Sequence, residues 1–134
     1  EHTGTSDSEV SDGLSMSVGS ALAEANFVIF GNNNDDTGTT SSSLSGISKR
    51  SKREWNFDEK GTVTADIKID ISDATGHSGS ISAASNYKLL FKTCEFCNFL
   101  ELETGDSASG DVITFSNVTI QDGIFCIASA DSNL

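Results

Sequence analysis

The sequence predicts an all-β fold, an antiparallel β-sandwich of Ig-like or jelly-roll-like character with about 7–9 strands, and three observations lead there. Over residues 62–71, Val63, Ala65, Ile67, Ile69 and Ile71 alternate with Thr62, Thr64, Asp66, Lys68 and Asp70, the period of two that puts one face of a strand on a core and the other in water. No segment sustains a helical period. Short apolar runs are separated by Gly, Ser, Thr, Asn and Asp, with 12 Gly and no Pro, so turns are made by glycine and by side chains that hydrogen-bond their own backbone. The 134 residues suit one core. They divide into an extended N-terminal stretch, 1–13, expected to be a flexible arm or an inter-subunit segment, and a single β-sandwich domain, 14–134.

The elements follow in order. Residues 1–13 are polar and aperiodic, with Val10 as the one aliphatic side chain. Leu14, Met16 and Val18 then alternate with serines as a half-buried strand. The Ala-rich stretch 20–25 is a helical turn or an extended connector. Phe27, Val28, Ile29 and Phe30 form a continuous apolar run closed by Gly31, which reads as a central strand covered on both faces. Residues 32–46 are a long loop or hairpin excursion. Beyond them Lys49, Ser51, Arg53, Trp55 and Phe57 fall on one side of a long strand, with Ser48, Arg50, Lys52, Glu54 and Asn56 on the other. After the strand 62–71 and a Gly/Ser-rich connector, further strands begin at Tyr87, Phe99, Asp111 and Gly123. Asp122-Gly123 between two apolar runs reads as the tight turn of a C-terminal hairpin.

Acidic residues outnumber basic ones by 20 to 8, for a formal net charge of −12. Such a chain repels phosphate backbones and anionic lipid, so neither nucleic acid nor membrane insertion is expected. No apolar run reaches the roughly 20 residues of a membrane-spanning helix. The start at Glu1, without the basic and apolar regions of a signal peptide, reads as a processed chain or an excised piece. The expected location is extracellular or at the cell surface.

Phe27-Val28-Ile29-Phe30-Gly31-Asn32-Asn33, then Arg50, Arg53, Trp55, Glu59 and Gly61-Thr62-Val63, then Tyr87-Lys88-Leu89-Leu90, and finally Gly110-Asp111-Val112-Ile113-Thr114-Phe115 with Asp122-Gly123, resemble a module of large secreted surface proteins from gliding-type bacteria. Their order and spacing carry the resemblance, which runs from about Leu14 to Ala128. It implies an antiparallel sandwich, a surface scaffold role and no catalytic residues. The chain departs from that pattern at 93–98, where Thr-Cys-Glu-Phe-Cys-Asn replaces an acidic turn, and at Phe125-Cys126-Ile127. Both departures introduce cysteine, which weakens any calcium role tied to the acidic turn and favours a local cross-link.

Four sets of residues are candidates for sites. Cys94, Cys97 and Cys126 are an odd number; bridging Cys126 to Cys94 or Cys97 would staple the C-terminal strands, against an alternative of three reduced thiols. Zinc is disfavoured, because two cysteines without a nearby His fall short of four ligands. Asn32, Asn34, Asp35 and Asp36 offer the oxygen ligands calcium uses, although solvated turn chemistry accounts for the same residues. Lys49, Arg50, Lys52 and Arg53 read as a docking patch for an acidic or anionic partner, or as charges that protect an edge strand. Leu14, Met16 and Val18 have the alternation of a donor strand that could complete a neighbouring subunit's sheet. Asn117-Val118-Thr119 fits the glycosylation acceptor pattern.

No nucleophile, base or closed metal site can be assembled from two histidines in Gly/Ser-rich or terminal segments, so a non-enzyme is expected. The expected function is a structural subunit that polymerises into a filament or surface layer by β-strand addition, with copies of itself as partner. The alternative is a monomeric adhesin or glycan-binding module, calcium-assisted or not, which predicts a first strand paired within its own sheet.

Overall fold

The computed structural model describes residues 8–9, 13–19 and 22–134. Its strands are β1 (Ser8–Glu9), β2 (Leu14–Ser17), β3 (Phe27–Asn32), β4 (Thr39–Ser41), β5 (Lys49–Ser51), β6 (Trp55–Lys60), β7 (Thr64–Asp70), β8 (Tyr87–Lys92), β9 (Leu100–Thr104), β10 (Ser107–Ser109), β11 (Val112–Thr119) and β12 (Gly123–Ser129). The first sheet runs β1-β2-β7-β11-β10. In the second, β12 is central: β5 and β6 lie along one side with β4 and β3 outside them, and β8 then β9 lie along the other. All pairings are antiparallel, and the two sheets stack as a β-sandwich.

The strand 62–71 has its expected polarity. Val63, Ala65, Ile67, Ile69 and Ile71 are buried, and they meet Trp55, Phe57, Tyr87, Leu89, Phe91, Phe125 and Ile127 from the second sheet in one core. Phe57 stacks on Phe30 at 5.0 Å and meets Phe125 edge-on at 4.6 Å, geometries that aromatic pairs prefer. The β7 strand runs directly into a one-turn helix, α1 (Ile71–Thr75), a turn that the apolar periodicity did not announce. Asp70 Oδ1 caps it, accepting from the amides of Ser72 and Asp73 at 3.0 and 3.1 Å. Gly76, at φ 74°, ends it.

The long strand expected over 47–57 is two strands, β5 and β6, both paired with β12. Arg50 pairs with Ala128 and Trp55 with Phe125, so residues 51–54 face only residues 126 and 127. This bulge aims Arg50 and Glu54 at the outer face of the second sheet and folds Arg53 inward.

Two expectations change. The run 27–30 is not a central strand: β3 pairs with β6 alone among the described strands, Val28 faces the core, and Ile29 is 52% exposed on the outer face. An apolar run does not distinguish a doubly covered strand from one whose outer side chain lies in a groove. Asp122-Gly123 does not close a hairpin, because β11 belongs to the first sheet and β12 to the second. Asp122 instead accepts from the Glu59 amide at 2.6 Å, and a Cβ on Gly123 would lie 2.5 Å from the Lys92 carbonyl oxygen, so this dipeptide serves a tight crossing between sheets. Leu14, Met16 and Val18, the candidate inter-subunit strand, lie in the core, and β2 pairs with β7 of the same chain, Leu14 opposite Ile69 and Met16 opposite Ile67. The arm 1–13 lies largely outside the described residues, although β1 pairs with β2 through Ser8–Met16 and Glu9–Ser15.

Candidate functional site

The outer face of the second sheet carries a second, smaller core. Cys126 and Ala128 of β12, Leu90 of β8 and Ile47 are buried there, with Leu44 and Phe99 packed over them. Alternation places these groups: Cys126 sits opposite Leu90 and Ala128 opposite Lys88, on the face away from the main core. Phe99 is the lid, and two cations hold it, the Arg50 guanidinium 4.9 Å and the Lys92 ammonium 4.5 Å from its ring centre. Such contacts gain strength when desolvated, and Lys92 is only 7% exposed. Glu54 bridges the pair, with Oε1 3.1 Å from Arg50 Nη1 and Oε2 2.9 Å from Lys92 Nζ.

Lys92 Nζ also donates to the Glu95 carbonyl at 3.2 Å, so the same ammonium ties down the turn that follows β8. That turn is closed covalently: Cys94 and Cys97 form a disulfide with their Cα atoms 5.1 Å apart, and the Cys97 amide donates to the Cys94 carbonyl at 3.1 Å. Phe96 stands at its tip, 93% exposed. Residues 41–44 and 95–99, with Arg50 and Lys92, line a cleft of about 290 Å³ below it. Among the described residues nothing packs over the Phe96 ring, which lies beside this cleft.

The sequence-derived candidates are placed differently from one another. The cross-link is Cys94–Cys97, and Cys126 is a buried free thiol, so the proposed staple from Cys126 to Cys94 or Cys97 is corrected: Cys126 lies under Phe99 in the minor core. Burial pushes its thiol from an ordinary 9.0 up to about 12, with Arg50 pulling the other way. The four basic residues do not form one patch. Arg50 belongs to the cleft and Lys52 is exposed, but Arg53 is 8% exposed and donates to the carbonyls of Asp73 at 2.9 Å and Asp35 at 3.2 Å. It is a tie between the sheets, turned inward by the bulge, and Lys49 is half-buried on β5. In the oxygen-rich loop Asn32 Oδ1 accepts from the Asn34 amide at 2.6 Å, Asn33 Oδ1 from the Asp35 and Glu54 amides, and Asp35 Oδ1 from the Asp36 amide at 2.7 Å, the local turn chemistry these residue types favour. Among the described residues no group of three or more His, Cys, Asp or Glu converges as a metal site. Asn117 is exposed at the bulge of β11, at φ 55°.

Phe96 and Lys92 were not singled out by sequence reasoning. The available signal was an aromatic residue enclosed by two cysteines three positions apart, in a stretch that breaks the strand pattern.

Comparisons with curated proteins and with solved structures returned no match. A family model does match, over residues 4–124, and by that match the chain belongs to the family described as Domain of unknown function (DUF8202).

Proposed function

We propose that this chain is a non-catalytic recognition module of an extracellular surface, which adheres through the outer face of the second sheet with Phe96 as its central contact. The observation that carries the reading is the pairing of exposure with rigidity: a 93% exposed ring on a turn closed by a disulfide. Pre-organisation of this kind reduces the ordering cost of binding, and aromatic anchors dominate contact energies. A disulfide at the surface suits an oxidising compartment, which supports an extracellular location. Polymerisation by strand addition is the weaker reading, because β2 already completes its own sheet and would have to leave it before serving a neighbour.

The test is adhesion of beads coated with the chain to surfaces bearing neutral polysaccharide, acidic polysaccharide or protein. Wild-type beads are expected to be retained on one class of surface, and Phe96→Ser beads to lose about tenfold or more of that retention, the scale of a hot-spot aromatic. Equal retention of both, or retention of neither on any surface, contradicts the proposal.

A further inference from the structure

The cleft beneath Phe96 is the first of three adjoining depressions on the outer face of the second sheet. Its wall at Glu95 is shared with a second depression of about 220 Å³, lined by Asn33, Glu54, Asn56 and Ile124. That depression shares Asn32 and Asn56 with a third, of about 420 Å³, whose walls include Ile29, Gly31 and Asp58. Successive pairings set the three in line: Lys92 lies opposite Ile124, Ile124 opposite Asn56, and Asn56 opposite Gly31. One row of residues therefore crosses β8, β12, β6 and β3, three interstrand spacings of about 4.8 Å each. Gly31 leaves its end of the row open, since a Cβ there would meet nothing within 4 Å.

We infer that the three depressions act as one groove that binds a linear, neutral polysaccharide lying across the strands, with one sugar ring stacked on Phe96. The inference rests on the recognition reading above and names its ligand class. Length is the first reason, since a row three spacings long exceeds a single pyranose ring. Chemistry is the second: the walls supply carboxamides, carboxylates and serine hydroxyls, which donate to and accept from sugar hydroxyls, while Ile29, Ile124 and Phe96 offer apolar surface to the C–H faces of the rings. Charge is the third. The chain carries −12, and the two cations at the cleft both contact Glu54, so an anionic polymer meets repulsion rather than steering.

The experiment is calorimetric titration of the intact, oxidised chain with cellohexaose, mannohexaose and maltohexaose, with the matching disaccharides, and with hexagalacturonate as the acidic probe. At least one neutral hexasaccharide is expected to bind about tenfold or more tighter than its disaccharide, with Asn56 and Phe96 amides shifting in nitrogen-edited NMR spectra. Gly31→Leu fills the groove floor from open space and is expected to weaken the hexasaccharide at least about fivefold while leaving the thermal midpoint unchanged; that is about 1 kcal/mol of binding. Binding of hexagalacturonate alone, equal affinity for disaccharide and hexasaccharide, shifts confined to other faces, or no binding by any neutral probe would each overturn the inference. Phe96-dependent bead adhesion without oligosaccharide binding overturns the sugar assignment only, whereas loss of both overturns the recognition reading beneath it.

Discussion

Cys126 has a clear chemical signature. Its thiol is fully enclosed by Leu90, Ile47, Ala128 and the Phe99 lid, and burial raises it to about 12. A thiol must ionise and be reached to react, so the folded chain is expected to show no thiol reactive toward iodoacetamide at pH 8, and the denatured, unreduced chain one. Phe99→Ala removes the lid and is expected to make Cys126 reactive in the folded state; an unreactive thiol in that variant would contradict the placement of Phe99. The sign of the pH effect follows from linkage. The folded thiol titrates above the unfolded one, so its contribution is fully present below about pH 9 and is lost as pH rises toward about 12, because the unfolded state releases its proton first. Alanine at position 126 is expected to flatten that alkaline loss of stability, measured by urea unfolding at successive pH values.

At the scale of elements, the turn after β8 is the most informative. Replacing Cys94 and Cys97 by serine opens a very short loop, for which chain-entropy accounting gives about 2 kcal/mol of lost stability. The expected result is a modest drop in the urea midpoint with the sandwich intact and Phe96 adhesion reduced, because the ring must then be ordered on binding. A drop large enough to unfold the domain would mean that the turn supports the main core. The alternation in 62–71 was legible because a half-buried strand writes its polarity into every second residue, and the same reasoning placed Ser51, Arg53, Trp55 and Phe57 on one side of their strand. It could not see the bulge at 51–54, which is a matter of register against β12. Nor could it see that β11 and β12 lie in different sheets, since Asp122-Gly123 serves a hairpin and a crossing equally well. The disulfide partner was hidden for the same reason: cysteine spacing leaves connectivity open, and only the fold shows that Cys126 faces the minor core.

At the scale of the whole molecule, β2 is paired with β7 of its own chain, and donor-strand exchange would have to undo that pairing. Leu14, Met16 and Val18 fill the core of their own sandwich, and truncating Met16 to alanine is a core deletion worth about 2–5 kcal/mol. Release of β2 to a neighbour costs that burial before any is regained, so strand exchange would meet a barrier that the proposed binding through Phe96 would not. The proposed contact face lies on the second sheet, whereas β2 is in the first. The two readings are therefore separable by substitution.

The most direct measurement compares bead adhesion of two variants with the wild type. In one, Ser15→Cys with Lys68→Cys, opposite one another on β2 and β7, locks the first strand into its own sheet. In the other, Phe96→Ser removes the ring. The account predicts that the locked chain adheres as the wild type does while the Phe96 variant does not. Adhesion abolished by the lock and retained without Phe96 would contradict it, and would return the function to strand exchange between subunits.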